Sequence, residues 1–518
     1  MAVAHVNSKH KVFVLPYDQG IANVVPGARR VDRRDGPVVV VPHSRDAVRF
    51  ARNLGHRVPA PITAQYGWNG DTPFKAQRIT AALMTMNDRA FVLSEIGTGK
   101  TRAALYTLDF LLQEKEIECA LIVAPLSTLS RVWEVEIFRY FNHLNTAVLH
   151  GTKAQRLKKL NAGADIFIIN HDGIETILPE LMAYKKIQAC VLDELSYYRN
   201  ARTDRWKCTA KLIQPMKYVW GMTGSPTPQE PTDAYGQVKL LLPGRVPKYY
   251  KSFQEMTMNK ITQFKWVPKP NALDIVYDVM QPSVRFLRKD VAELPETSYQ
   301  TREVTLGKEQ SKVYKSLVDK AHFSFGAGEV TAVNEGVLMS KLLQVSCGWV
   351  YTTARGVVAL DNDERVDALL EVLLENASKT IVFVEFIHAA EALYARLRSE
   401  NISARLVTGS VSLGERNRIF RDFQETSDPK VLIAHPKCMS HGLTLTAANT
   451  IVWFTPSTSL ETYEQANGRI TRPGQKDKTL VVHLCGSPVE RKMYTRLQKK
   501  AKIQGALLEM FEQGELFN

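Results

Sequence analysis

Short runs of consecutive apolar residues recur along the chain, each followed by a stretch with the amphipathic spacing of a helix. The first series is FVLS from Phe91, CALIVAP from Cys119, DIFIIN from Asp165, ACVLDE from Ala189 and YVWGMTGS from Tyr218. Unbroken runs of this length, rich in β-branched residues, fit strands covered on both faces, so they predict a parallel sheet flanked by helices. A second series predicts a second such sheet: TIVFVEF from Thr380, SARLVTG from Ser403, KVLIAH from Lys430, TIVWFTP from Thr450 and LVVHLCG from Leu480. Between the two, from about Leu240 to Val366, helical patterns such as EQSKVYKSLVDKAH and EGVLMSKLLQVS dominate, with proline-containing breaks such as WVPKP from Trp266.

Ahead of the first series the pattern reads strand, helix, turn at Pro26-Gly27, strand, turn at Asp35-Gly36, strand, helix, and it ends at the proline-rich VPAPI from Val58. The expected fold class is α/β, two tandem parallel-sheet lobes with helical insertions plus a small α+β N-terminal domain. The expected division is residues 1–60 for the small domain, 61–300 for the first lobe with a helical protrusion, and 301–518 for the second lobe with its insertion and connecting segment.

Composition adds little until charge is counted. Hydrophobic residues are 45% of the chain and charged residues 23%, ordinary for a globular protein. The formal net charge of +14 favours a polyanionic partner, because phosphates neutralised by Lys or Arg release counterions, though a merely basic protein would carry it equally well. The six cysteines are scattered, with no CxxC pair and no histidine at zinc-ligand spacing, so no zinc site is expected. Four of them (Cys119, Cys190, Cys347 and Cys485) lie in or beside apolar runs and read as buried free thiols in a reducing compartment. No secretory signal opens the chain, and no apolar stretch nears the ~20 residues that span a bilayer. A protein with no membrane partner is expected, cytoplasmic in a bacterial or virus-infected cell, or nuclear if the source is eukaryotic.

Three motifs carry chemistry. Ser94-Glu95-Ile96-Gly97-Thr98-Gly99-Lys100-Thr101 follows a strand and precedes a helix, the context of a phosphate-binding loop. Gly97 and Gly99 let backbone N–H groups converge on phosphates, Lys100 is placed to contact the β/γ phosphates, and the Thr101 hydroxyl to hold Mg²⁺. Ser94 stands where the usual pattern has glycine. Asp193-Glu194 ends an apolar strand about ninety residues later; Asp193 there can orient Mg²⁺ and Glu194 can position or deprotonate the attacking water. Arg469 and Arg472, in QANGRITRPGQ from Gln465, are three apart on an expected helix face, from which both can reach a γ-phosphate.

In order and context these motifs resemble superfamily-two helicases and, within them, the Swi/Snf-type DNA-translocating ATPases, over about Pro73 to Leu497. The resemblance implies two RecA-like lobes, ATP and Mg²⁺ as cofactors, and roles for further residues. Gln77 in PFKAQRITAA is similar to the glutamine that reads adenine, and Glu95 and Thr98 complete the phosphate loop. Pro125, Leu126, Ser127 and Arg131 in LIVAPLSTLSRVW, and His171 in NHD, fall at DNA-contacting motifs. Thr223-Gly224-Ser225-Pro226 resembles the family's TGTP segment. Phe286-Leu287-Arg288-Lys289-Asp290-Val291 with Leu294-Pro295 resembles the Swi/Snf connection between lobes, which generic unwinding helicases lack. In the second lobe, Thr408, Gly409 and Ser410, and then Gly442 and Leu443, fall on DNA-facing loops, and the family assigns Arg469 and Arg472 to the γ-phosphate. Two departures stand out: Ser196 replaces the histidine of the DEAH box, and Ser440-His441 precedes Gly442 where a second glycine is usual. Residues 1–60, with PYD and PGARxVD, resemble the HARP-type module of fork-remodelling annealing translocases, and Arg29, Arg30, Arg33 and Arg34 there are candidates for gripping phosphate.

The resemblance thus implies a monomeric, ATP-driven motor on double-stranded and branched DNA. The alternatives are a strand-separating DNA or RNA helicase, a motor that displaces proteins from DNA, and a nucleic-acid-binding scaffold that has lost hydrolysis.

Overall fold

The computed structural model describes residues 4–227, 230–262, 266–287, 291, 296–326, 332–351, 356–439, 444–472 and 475–499. The chain divides into two compact units, Met1–Ala292 and Glu293–Asn518.

The first unit opens with four antiparallel strands, β1 (His5–Asn7), β2 (Val12–Pro16), β3 (Arg29–Arg33) and β4 (Gly36–Pro42), ordered β1-β2-β4-β3. Gly27 (φ +79°) and Gly36 (φ +114°) occupy the left-handed backbone that their turns require. A seven-stranded sheet follows, built from β5 (Arg89–Val92), β6 (Cys119–Ala124), β7 (Thr146–Leu149), β8 (Ile166–Asn170), β9 (Ile187–Asp193) and β10 (Tyr218–Met222). After the small antiparallel pair β11 (Met258–Lys260) and β12 (Trp266–Pro268), β13 (Ser283–Val284) completes it. The order is β13-β5-β10-β9-β6-β8-β7 and every pairing is parallel.

The unalternating burial expected of a two-sided sheet is found: all six residues of β6 and all five of β10 are buried. Successive residues serve opposite faces. Ile122 and Ala124 join one core and Leu121 and Val123 the other. The first core continues without a break into Phe13, Leu15, Val39 and Val41 of the N-terminal strands. The module thus shares the core on one side of the large sheet, with its helix Arg45–Asn53 against the helix Lys75–Met86.

The second unit carries a six-stranded parallel sheet ordered β14-β21-β20-β17-β19-β18. Its strands are β14 (Thr297–Glu303), β17 (Lys379–Phe383), β18 (Ala404–Val407), β19 (Val431–Ala434), β20 (Ala448–Trp453) and β21 (Thr479–Cys485), and the short pair β15 (Trp349–Tyr351) and β16 (Val357–Ala359) lies between β14 and β17 in sequence. Helices Lys308–Gly326 and Ala332–Cys347 form the inserted helical part. A buried ion pair, Arg365 to Glu490 at 2.6 Å, ties the helix Asp363–Glu375 to the helix Pro488–Gln498. Glu490 also accepts from the Gly486 N–H at 2.8 Å.

All ten strands expected from the apolar runs are present. The stretch from Leu240 to Val366 departs from its helical expectation by also containing β11 to β16, and the WVPKP break proves to hold β12. The strands that the apolar pattern does not mark are edge or short strands. β14, TSYQTRE, is largely exposed and β13 has two residues, so neither needs a continuous apolar run. The four cysteines expected in apolar runs are buried and free, with thiols pushed up to about 12 by burial. Among the described residues, no helix is long and apolar enough to cross a membrane.

Candidate functional site

In the first unit the candidate residues gather at the C-terminal ends of neighbouring parallel strands, where α/β sheets place their ligands. β5 runs into the loop 93–99, and Lys100 begins the helix Lys100–Gln113. Gly97 (φ +86°) and Gly99 (φ +79°) both have the left-handed backbone that curls such a loop. Gly99 has a second constraint: a Cβ there would lie 2.3 Å from Gln77 Nε2. The Lys100 ammonium lies inside the loop, donating to the carbonyls of Ser94 (2.7 Å) and Glu95 (2.9 Å), and the Thr98 hydroxyl donates to Glu95 O at 2.8 Å. Ser94, the departure from glycine, is buried, and its hydroxyl accepts the Phe286 N–H at 3.0 Å while Glu95 N–H donates to Phe286 O at 2.9 Å. The serine therefore anchors the loop to the segment after β13.

Asp193 ends β9, which lies between β10 and β6. Its carboxylate accepts the Glu194 N–H (3.1 Å) on one oxygen and the Trp133 indole N–H (3.0 Å) on the other. Protein packed around the carboxyl raises its pKa by desolvation, opposed by the Trp133 hydrogen bond, the Lys100 charge and the Glu194 N–H. Glu194 takes φ +54°, a left-handed conformation rare for a side chain of this kind and costing on the order of 1–3 kcal/mol. Thr223-Gly224-Ser225 follows β10 beside the loop: Thr223 N–H donates to Val92 O at 2.9 Å, and a Cβ on Gly224 would lie 3.6 Å from Ser94 O.

Gln77, on the helix Lys75–Met86, is buried and already engaged at both ends of its amide: Oε1 accepts Phe74 N–H at 2.8 Å and Nε2 faces Gly99 O at 3.4 Å. It bonds its helix start to the phosphate loop. Thr101 is the second residue of the helix that Lys100 opens.

Pro125, Leu126 and Ser127 follow β6, with Leu126 exposed. Arg131 sits in a π-helical turn, Leu129–Glu134. His171, expected at a DNA contact, is buried, stacked on Tyr197 (4.6 Å between centroids) and hydrogen-bonded through Nδ1 to the Tyr198 hydroxyl at 2.9 Å. The aromatic pair that follows the Asp193-Glu194 turn draws the ring into the packing, so it supports the surface and does not present itself there.

In the second unit the loop after β18 exposes Gly409 and Ser410, while Thr408 is buried with its hydroxyl 2.8 Å from that of Ser410. Arg416 closes the loop by donating to the carbonyls of Thr408 (3.2 Å) and Val411 (3.1 Å). Gly442 and Leu443 lie outside the described residues, as do Ser440, His441, Arg288 to Asp290 and Leu294-Pro295. Arg469 and Arg472 do not share a continuous helix, contrary to expectation. The helix Leu460–Asn467 ends with Gly468 as its cap, and both arginines lie in the turns beyond; the proline that follows Arg472 in sequence disfavours helical backbone there. Arg469 is 1% exposed. Arg472 donates to Gly468 O and the Thr444 hydroxyl, both at 3.2 Å. The Trp453 indole donates to Asn467 Oδ1 at 2.9 Å, pinning the end of the helix from which the arginines follow. The sequence does not mark Trp133 or Phe286 as supporting residues, since their partners lie 60 and 192 residues away, and it gives no local signal for the Trp453 bond to Asn467.

A glycine-rich loop between strand and helix, with an acidic strand end beside it, defines a P-loop nucleotide hydrolase. The SNF2-related domain matches residues 78–347, more than half of the chain, and the Helicase conserved C-terminal domain matches 364–474. The chain belongs to the SNF2-related family of helicase-type ATPases. It is 24% identical to "Putative protein p41" of Acyrthosiphon pisum secondary endosymbiont phage 1, over 81% of this chain and 94% of that protein. It is 23% identical to the human "DNA annealing helicase and endonuclease ZRANB3", over 90% of this chain but only 43% of that protein. Among solved structures, the Sulfolobus solfataricus SWI2/SNF2 ATPase core in complex with dsDNA aligns with 87% of this chain and 95% of its own, at 20% identity and a TM-score of 0.40.

Proposed function

We propose that the chain is an ATP-driven translocase on double-stranded DNA that remodels branched or forked DNA. The observation that carries the reading is the placement of Lys100 after β5 and of Asp193 and Glu194 at the end of β9, the two parallel strands that flank β10. Lys100 leaves its two carbonyl partners for the β/γ phosphates when ATP enters. Gly97 and Gly99 present N–H groups, and the helix start at Lys100 adds its positive end. Thr101 and Asp193 would hold Mg²⁺: both offer the hard oxygen ligands it takes, and a dication offsets the desolvation of the Asp193 carboxyl. Bound there, Mg²⁺ supplies charge stabilisation at the phosphates. Glu194, on left-handed backbone just past the strand end, orients and deprotonates the attacking water. Arg469 and Arg472 stabilise the charge that develops on the γ-phosphate.

Support for DNA as the track comes from the net charge of +14, from the exposed loops at Leu126 and at Gly409-Ser410, and from the description of the human relative. The four-stranded N-terminal module, whose edge strand β3 exposes Arg29, Arg30 and Arg33, is assigned to recognising the branch. The test is ATP hydrolysis by the full chain against a panel of duplex, single-stranded and branched DNA and RNA, with a branch-migration readout. Duplex and branched DNA are expected to stimulate most. Stimulation by RNA or single strands alone would contradict the reading.

A further inference from the structure

The π-helical turn Leu129–Glu134 and the helix that continues it each touch the nucleotide site once. Trp133, fully buried within the turn, donates its indole N–H to Asp193 Oδ2 at 3.0 Å. Arg102, the residue after Thr101, reaches the helix that continues the turn, Val135–Tyr140. It donates to Glu136 at 3.2 Å, and its guanidinium lies 3.6 Å over the Tyr140 ring. It also pairs with Asp71 at 3.3 Å. One short element thus carries Arg131, begins two residues after Ser127, and is bonded both to the strand that ends in Asp193 and to the helix that holds Thr101.

The backbone of the turn mixes hydrogen-bond spacings. Thr128 O accepts from Val132 N–H at 3.0 Å and from Trp133 N–H at 3.1 Å, and Val135 N–H donates to Ser130 O as well as to Val132 O. The first pair mixes α-helical with π-helical spacing and the second π-helical with 3-10 spacing, and single-turn π segments of this kind are frequent at functional sites. A shift from one spacing to another would rotate Trp133 and move its rigid indole relative to Asp193. Coupling between two sites requires such a bistable element, biased by both.

We infer that this turn relays polynucleotide contact at Pro125 to Arg131 into the nucleotide site, with Trp133 and Arg102 as the positioning residues. The inference rests on the proposed roles of Asp193 and Thr101. Duplex DNA pressed on the turn favours the spacing in which the indole holds Asp193 ready for Mg²⁺, and Arg102 carries the same displacement to the start of the helix bearing Thr101.

The test is a binding measurement on the full chain carrying Glu194→Gln, so that hydrolysis does not intervene. The Mg²⁺ midpoint for binding a fluorescent ATP analogue is read with and without duplex DNA. In this parent, duplex is expected to lower the midpoint at least fivefold. Trp133→Phe, which keeps the ring and loses the N–H, should raise the DNA-free midpoint at least fivefold and abolish the duplex effect. Arg102→Met should reduce the duplex effect to less than twofold. A folded Trp133→Phe chain with the parent's midpoint and duplex response overturns the relay, as does a parent that binds duplex with no shift. If Trp133→Phe does not fold, Arg102→Met decides, and a full duplex effect there overturns the relay. A parent whose nucleotide binding ignores Mg²⁺ contradicts instead the assignment of Asp193 and Thr101.

Discussion

The two halves of the proposed hydrolytic machinery are held in place by different means. In the first unit the reactive groups sit on backbone in unusual conformations: Gly97, Gly99 and Glu194 all have positive φ, and each lies just past a strand end. Their side chains and carbonyls then hold one another, Lys100 to Ser94 and Glu95, Asp193 to Trp133. In the second unit the arginines follow a plainly capped helix, and what fixes them is the core beneath. Trp453 bonds Asn467, and Tyr463 of the same helix bonds the buried His483 at 2.9 Å, with His483 stacked on Tyr494 at 4.2 Å. The first arrangement uses glycine's backbone freedom and places strain at Glu194, whereas the second relies on aromatic packing and buried polar bonds around it. Substitutions should therefore separate chemistry from stability cleanly in the first unit and mix them in the second.

The sharpest contrast is expected at Arg472. Arg472→Ala should lower the rate of hydrolysis by about 10³-fold, the scale of a guanidinium at a γ-phosphate, with ATP binding retained. Arg469→Ala should cost activity similarly but also lower the melting temperature, since its side chain is buried; unchanged melting would break the comparison. Next in size is the buried pair of the second unit. Glu490→Ala strands the Arg365 guanidinium and should cost about 3–5 kcal/mol in denaturant unfolding of that unit. The smallest effect is a pH dependence. Burial depresses His483 from 6.5 to about 4, so the unfolded chain binds the extra proton first. The stability contribution is full above pH 6.5 and is lost as pH falls toward 4, amounting to roughly 3 kcal/mol at most. His483→Gln should flatten the fall in melting temperature across that window, and an unchanged slope would assign it elsewhere.

The same contrast explains what could be read from the chain. Two-sided strands such as Cys119–Ala124 and Tyr218–Met222 need every residue apolar, so they stand out. Edge strand Thr297–Glu303 pairs on one side and faces solvent, so its polar sequence hides it. The phosphate loop and Asp193-Glu194 were legible because backbone geometry demands glycines and a strand end at fixed local spacing. The supports were not, because Trp133 lies sixty residues before Asp193 and Ser94 meets Phe286 from 192 residues away. The burial of His171 was not legible for a related reason: the Tyr197-Tyr198 pair that covers the ring is set by tertiary packing.

The most direct test of the account compares wild-type and Glu194→Gln chains in single-turnover ATP hydrolysis on duplex DNA, with duplex affinity measured in parallel. The account expects hydrolysis to fall by at least 10³-fold while duplex binding stays within twofold. A Glu194→Gln chain that hydrolyses ATP at the wild-type rate would contradict it.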